Sequence, residues 1–442
     1  MRLLHTSDWH LGQSLHNFER TYEHQCFLDW LLDTIVAEQA DALLIAGDVF
    51  DNANPSSSSQ RQLYRFLQQA RARAPQLNLI VVAGNHDSPG RLEAPGPLLE
   101  AHGTQVIGNV PRGADGQIDV DRLVLPLTGK SGRVEAWCLA VPFLRPGDVP
   151  RPAAAPTAEP AAEEPAADAA AEAVQDAPPP DAAPERAAPD PYLAGIALLY
   201  QQAFAVARSR CQPGQAIIAM GHCHMVDGQM SNDSERRIVI GGTEMLPTGI
   251  FDPAIAYAAL GHLHLAQTVG KQERIRYCGS PIPLSFAEVG YRHQILRIDL
   301  ADGVASEITA IPVPRAVELM RVPSKPAPLE QVLEALAALE TDAELPPDVH
   351  PFLEVRVLLD APQPGMRARV EAALEGKPVR LAKIETSTPA RVPSLDDVTL
   401  TLDQLDKLQP DDIFKRLYQQ RFGDAAPADQ LSAFAELMLP GA

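Results

Sequence analysis

The sequence predicts an α/β protein built in layers, and three observations carry that expectation. Short apolar runs rich in β-branched residues alternate with helical patterns through the N-terminal part of the chain. The same alternation resumes after an Ala/Pro-rich interruption. Five of the strand-like runs end in clusters of side chains able to ligate a metal, four of them introduced by glycine.

Taken in order, Arg2 to Thr6 reads as a first strand that runs into Ser7-Asp8-Trp9-His10. A helix follows from Glu19 to Gln39, where Tyr22, Phe27, Leu28, Leu31, Leu32 and Ile35 recur at helical spacing. Asp41 to Ala46 is a strand ending at Gly47-Asp48, and Pro55 with four serines precedes a helix reaching Arg73. Asn78 to Val82 is a buried strand that turns at Gly84 to present Asn85, His86 and Asp87. A helix from Arg91 to His102, apolar runs near Val106 and Leu123 to Leu127, and a strand from Val134 to Pro142 complete this half.

From Arg151 to Asp190 the composition changes: 17 Ala and 9 Pro stand among 40 residues, with Val174 the one branched aliphatic. Such a segment cannot bury enough apolar surface to offset its ordering entropy, so it reads as a disordered insertion. A helix from Pro191 to Arg208 follows, then strands at 215–220, 237–240, 256–260, 275–278 and 294–298. Beyond Pro314 a helix (329–339), strand (352–359), helix (366–375) and strand (379–384) form an α-β-α-β unit. Short amphipathic helices between Thr401 and Leu439 are read either as a docking surface for a partner or as elements that pack back onto the parent domain. The expected organisation is a catalytic domain over 1–310, a small α+β domain over 311–390 and a C-terminal helical region over 391–442.

Composition limits the function. No run approaches the roughly 20 apolar residues that span a bilayer, so a cytoplasmic protein without a membrane partner is expected. Five scattered cysteines without C-x-x-C spacing argue against a disulfide framework. The net charge of −20 disfavours a generally basic nucleic-acid binder. The 151–190 segment contributes −7 of it and leaves about −13 elsewhere, so a nucleic-acid substrate needs a local patch, bound cations or a partner to offset repulsion.

The clusters are Asp8-x-His10, Gly47-Asp48, Gly84-Asn85-His86-Asp87, Gly221-His222-x-His224 and Gly261-His262-x-His264. One glycine-histidine pair after a strand is an ordinary turn, but a chain with 12 histidines does not place this many ligands at successive strand ends by chance. Carboxylate, amide oxygen and imidazole without thiolate suit Mn²⁺, Fe or Zn²⁺. The donors are too many for one tetrahedral site and match two neighbouring ions. Two ions about 3.5–4 Å apart activate water and neutralise phosphoryl oxygens, the usual arrangement for phosphoester cleavage. His86 is then left to meet the substrate, as a general acid for the leaving oxygen or as a stabiliser of charge.

D-x-H, G-D-x-x-D, G-N-H-D, G-H and G-H-x-H in this order resemble the calcineurin-like metallophosphoesterases. The stretches H-T-S-D-W-H-L-G-Q, A-G-D-V-F-D and Y-C-G-S-P-I-P-L-S-F are most similar to that family's bacterial DNA-repair nucleases. The resemblance covers residues 1 to about 300 and is weaker beyond. It implies a two-sheet β-sandwich flanked by helices, with the metals at strand ends. One ion would be held by Asp8, His10, Asp48 and His264, the other by Asp48, Asn85, His222 and His262, with Asp48 bridging. His86 would be the catalytic acid and Asp87 its orienting support. It further implies two Mn²⁺ ions, a homodimer within a heterotetramer, and a coiled-coil ATPase partner docked through the C-terminal helices. The 311–390 unit would be a capping domain that touches DNA, and the serine-rich helix would lie near the dimer contact.

The expected activity is a metal-dependent nuclease, a 3′ to 5′ exonuclease on duplex DNA and an endonuclease on single strands, acting at DNA ends and hairpins. A phosphoprotein phosphatase or nucleotide phosphodiesterase of the same fold is the alternative enzyme, and a non-catalytic scaffold the alternative without chemistry. Phosphatases usually continue the second motif as D-R-G and the third as G-N-H-E; here Asn52 and Ala53 follow Asp51, and the third motif ends in Asp87. A scaffold would be expected to have lost ligands, and all are present. His222 is taken as the ligand because it occupies the Gly-His slot, with Cys223 and His224 after it as bystanders.

Overall fold

The computed structural model describes residues 1–150, 190–226, 228–230, 245–342, 344–359 and 363–388, with scattered positions between 414 and 431. The Ala/Pro-rich insertion, the expected strand at 237–240 and almost all of the C-terminal helical region lie outside the described residues.

The first strands and helices are β1 (Arg2–Thr6), β2 (Ser14–Leu15), β3 (Phe18–Glu19), α1 (Thr21–Ala37), β4 (Ala42–Ala46), α2 (Ser57–Arg73) and β5 (Asn78–Val82). Next come α3 (Pro89–Glu93), α4 (Gly96–Ala101), β6 (Thr104–Ile107), β7 (Val124–Thr128), β8 (Val134–Ala140), α5 (Pro191–Arg210) and β9 (Ala216–His222). The rest are β10 (Tyr257–Gly261), β11 (Gln267–Val269), β12 (Gln272–Tyr277), β13 (Gln294–Ala301), β14 (Val304–Pro312), β15 (Leu319–Pro328), α6 (Leu329–Ala337), β16 (Phe352–Leu358), α7 (Met366–Ala373) and β17 (Arg380–Ser387).

Two six-stranded mixed sheets form the larger part, in the orders β14-β13-β1-β4-β5-β6 and β11-β12-β10-β9-β8-β7. β1, β4, β5 and β6 are parallel, as are β8, β9, β10 and β12. Alternation along the strands explains their unbroken apolar runs, because both faces are covered. Leu3, Leu44, Ile80 and Val82 face the second sheet and pack with Cys138, Ile218 and Ala259, in a core that continues to Leu199 and Tyr200 of α5. Leu4, Leu43, Ile45, Leu79 and Val81 face the other way, onto Phe27 and Leu31 of α1 and Phe66 of α2. The result is a sandwich of two sheets with α1 and α2 on one side and α5 on the other, the architecture that the resemblance implies.

The third sheet, β15-β16-β17, is parallel. Along β16 the alternating residues Leu353, Val355 and Val357 are buried, as are Val332 and Leu336 of α6 and Val370 of α7. Phe352 joins Leu15, Phe286, Val317 and Leu319 in a small separate cluster, and the Arg380 guanidinium lies 3.7 Å from the Phe352 ring centroid.

Differences from the sequence reading have local causes. The helix expected over 91–102 is two short helices, because Pro95 cannot continue the first. β15 was hidden by Pro323, Pro326 and Pro328; it sits at the sheet edge, where missing amide donors are tolerated, and its register shifts between Val322 and Ala327. The β2–β3 hairpin is too short to show a period. All five cysteines are free. Among the described residues no helix is long and apolar enough to cross a membrane.

Candidate metal centre

The clusters come together because the strands that carry them run parallel. β1, β4 and β5 deliver Asp8, Asp48 and Asn85 at their C-terminal ends in one sheet; β9 and β10 deliver His222 and His262 in the other. The loops are laced to one another: Asp8 N donates to Gly47 O at 3.0 Å and His10 N to Asp48 O at 3.0 Å. Across the sheets, His262 N donates to Asp8 Oδ1 at 2.9 Å.

This convergence is bought with backbone strain. Asp8, His10, Asp48 and His262 have φ of 54°, 47°, 49° and 108°, in the region that L-residues rarely adopt. Non-glycine residues are held there only where surrounding contacts over-determine them, and such outliers concentrate at functional sites. The glycines serve mainly close approach. Gly47 does adopt a positive φ of 90°, but Gly84 does not, and a Cβ there would fall on the Asp48 carboxylate and its backbone nitrogen.

The other six expected ligands gather around Asp48. Its Oδ2 lies 3.6 Å from His10 Nε2 on one side and 3.3 Å from His222 Nε2 on the other. His222 Nε2 is 2.8 Å and His262 Nδ1 3.2 Å from Asn85 Oδ1. The His10 and His264 rings meet edge to face at 5.3 Å, and those of His222 and His262 at 5.4 Å. Among the described residues, three groups have ligand atoms all within 4.8 Å: Asp8 with His10 and His264; His10 with Asp48 and His86; and Asp48 with His222 and His262. Asp48 thus stands between an Asp8 side and a His222 side. The donors fit divalent cations of borderline hardness. His10 Nε2 and His262 Nε2 are buried without a hydrogen-bond partner, a condition that a cation would relieve.

The charges are tightly interdependent. Burial alone would raise the Asp48 carboxyl, but His222 first, then His10 and His86, hold it well below the ordinary range. Burial opposes protonation of His222, yet Asp48 and Asp8 lift it to about 9. His262 is held well below its ordinary value by burial and by His222. Asp8 is raised by burial against the pull of His222 and His264. One proton on the His222 ring therefore balances part of the carboxylate charge when no cation is bound.

His86 N donates to Asp48 Oδ1 at 2.8 Å. Its ring Nδ1 is 2.7 Å from the Asp51 carbonyl oxygen, so the Nδ1–H tautomer is the one that bonds there. The His86 ring lies 4.7 Å from that of His10. Asp87 makes its bonds elsewhere: its carboxylate accepts from Val49 N at 3.1 Å, Phe50 N at 2.9 Å and Gly84 N at 2.8 Å. It ties the loop after β4 to the loop after β5. Burial and Asp48 push its carboxyl up to about 6, against the three amides.

His222 lies within the metal-sized groups and His224 does not, although the His224 ring is 6.0 Å from that of His262. The Cys223 sulfur lies 3.7 Å from Met225 Sδ, and burial pushes its thiol up to about 12. The sequence assigns no role to three groups that stand at the site. Asp51 places its carboxylate 3.4 Å from His10 Nδ1 and its carbonyl on His86; its position three residues after Asp48 was the available signal. Ser7 Oγ donates to Asp8 Oδ2. Glu288 stands 2.9 Å from His264 Nδ1, and nothing in its sequence neighbourhood marks it.

A family model described as calcineurin-like phosphoesterase matches residues 1–146. A second, described as type 5 capsule protein repressor C-terminal domain, matches residues 315–422. Curated relatives are similar over most of the chain. The D-type subunit of nuclease SbcCD from Rhodobacter capsulatus is 38% identical over 412 residues, covering 92% of this chain and 93% of that protein. The protein of the same name from Escherichia coli K12 is 32% identical over 424 residues, 94% and 92% of the two chains. That of Bacillus subtilis is 32% identical over 304 residues, 69% and 67%.

Proposed function

The chain belongs to the SbcD family of SbcCD nuclease proteins, and on that premise we propose that it is a metal-dependent phosphodiester hydrolase that cuts DNA. The observation that carries the reading is the gathering of six ligand side chains from four other strand ends around the buried Asp48. Asp8, His10, Asp48 and His264 would hold one ion and Asp48, Asn85, His222 and His262 the other, with Mn²⁺ as the metal. When bound, the two ions supply Lewis acidity, acidifying water and neutralising phosphoryl oxygens.

The protein's own groups do the remaining work. Asp48 is kept ionised by its histidine neighbours, so its Oδ2, which lies between His10 and His222, has no proton to displace. His222 must lose a proton before it can ligate. The Asp51 carbonyl fixes the His86 ring through Nδ1, which makes Nε2 the atom that exchanges a proton with the leaving oxygen or stabilises its charge. Asp87 keeps His86 in register by holding the two loops together. Bound cations also answer the excess of negative charge, which would otherwise repel the phosphate backbone.

The finer reading is a 3′ to 5′ duplex exonuclease and single-strand endonuclease in the cytoplasm, dimeric, working with a coiled-coil ATPase of the SbcC kind. The 311–390 unit would cap the DNA and the 391–442 region would dock the ATPase. The test is cleavage of end-labelled hairpin, duplex and circular single-stranded DNA with Mn²⁺ or Mg²⁺, with and without the ATPase, for wild type and His86→Ala. Metal-dependent cutting by wild type and its loss in the variant are expected. Turnover of small phosphoesters with no cutting of any DNA would replace the reading with a phosphatase.

A further inference from the structure

His264 approaches Asp8 and His10 on one side, and a buried carboxylate stands behind it on the other. Glu288 closes a short 3-10 turn, Phe286–Glu288, whose start is capped by Ser285 Oγ accepting from Ala287 N at 3.2 Å. Its side chain is fully buried. Oε1 lies 2.9 Å from His264 Nδ1, while Oε2 accepts from Leu284 N at 2.8 Å and from Ser280 Oγ at 3.5 Å. A carboxylate taken out of water costs several kcal/mol, which these bonds to both of its oxygens offset.

The loop that carries Glu288 is itself anchored. The Pro283 carbonyl accepts from Arg20, a buried guanidinium ion-paired with Glu23 of α1. Gln13 Nε2 donates to Leu284 O at 3.0 Å, linking the same loop to the segment after His10. The carboxylate is therefore fixed relative to both the ligand loop and the sandwich.

We propose that Glu288 is a positioning residue for the metal centre: by accepting the Nδ1–H of His264 it fixes ring orientation and leaves the lone pair on Nε2, and so sets the affinity of the ion on the Asp8 side alone. The inference rests on the metal-centre reading above and extends it. On the His222 side the corresponding support is a backbone carbonyl, Ala46 O at 2.9 Å from His222 Nδ1. The two sides are thus oriented by chemically different groups, and only one depends on Glu288. Loss of such an outer partner typically weakens metal binding about 10–100-fold.

The test uses the full chain as wild type, Glu288→Gln and Glu288→Ala, stripped of metal and titrated calorimetrically with Mn²⁺. Wild type is expected to bind two ions. In Glu288→Gln one of the two sites should weaken about 10–100-fold with the other unchanged, and nuclease activity should return at high Mn²⁺. Glu288→Ala should weaken the same site at least as much. Two sites of wild-type affinity in both variants would overturn the proposal. So would equal weakening of both sites, or a Glu288→Gln chain unfolded by circular dichroism, since each marks a general structural role. A wild-type chain that binds no Mn²⁺ would instead remove the metal-centre reading beneath it.

Discussion

Replacing Asp87 by Asn sets two terms against each other, and pH separates them. Oδ2 accepts from Val49 N and Gly84 N, and Oδ1 from Phe50 N. Asparagine can keep the first two with its oxygen, but its amide nitrogen then faces the Phe50 N–H, and a buried donor left unmatched costs about 1–3 kcal/mol. Against this, the native carboxyl titrates near 6 instead of 3.8 because burial and Asp48 disfavour its charge. At 1.36 kcal/mol per unit the ionised side chain costs the folded state about 3 kcal/mol, and Asn removes that penalty. The sign is that of a raised acid: the wild-type group's contribution is fully present below 3.8 and is lost as pH rises through about 6. At pH 8 the relieved penalty matches or exceeds the lost bond, so Asp87→Asn should be neutral to about 2 kcal/mol stabilising. At pH 5 the wild-type carboxyl is largely protonated when folded, so the substitution should cost about 1 kcal/mol more than at pH 8. Urea unfolding of both proteins in EDTA at the two pH values measures the difference. An equal cost at both, or a larger cost at pH 8, would refute the assignment of a raised carboxyl to this tether.

Other expectations come from the same geometry. In EDTA, wild type should lose about 3 kcal/mol of stability between pH 6.5 and 9 as His222 gives up its proton, since a histidine raised in the folded state stabilises below 6.5. With Mn²⁺ present the loss should shrink or reverse, because the ion takes the deprotonated ring; thermal melts across that range read both. Gly84→Ala drives a methyl into the Asp48 carboxylate, and should cost about 1–3 kcal/mol in urea unfolding while abolishing calorimetric Mn²⁺ binding. Arg20→Met strips the buried Glu23 of its ion-pair partner and should destabilise by about 3–5 kcal/mol by chemical denaturation.

Much of the site was legible because strand ends announce themselves. Apolar runs that stop at Gly47-Asp48 or Gly84-Asn85-His86-Asp87 carry both their secondary structure and their chemistry in adjacent residues. What adjacency cannot encode was missed. Glu288 reaches His264 across 24 residues and Asp51 reaches His86 across 35, through loops whose course depends on the closed sandwich. The positive φ of Asp8, His10, Asp48 and His262 is imposed by neighbours, and no local propensity favours it in an aspartate or histidine over a turn glycine. β15 was obscured because its three prolines read as a breaker until the sheet places them at an edge. Asp87 was expected to support the orientation of His86; its bonds to three backbone amides could be seen only once two loops from different strands stood side by side.

Anomalous diffraction from crystals of the full chain equilibrated with Mn²⁺ tests the metal centre without reference to turnover. Two peaks about 3.5–4 Å apart should flank the Asp48 carboxylate, one against Asp8, His10 and His264, the other against Asn85, His222 and His262. A single peak, or peaks away from Asp48, would contradict the two-ion arrangement on which the proposed chemistry depends.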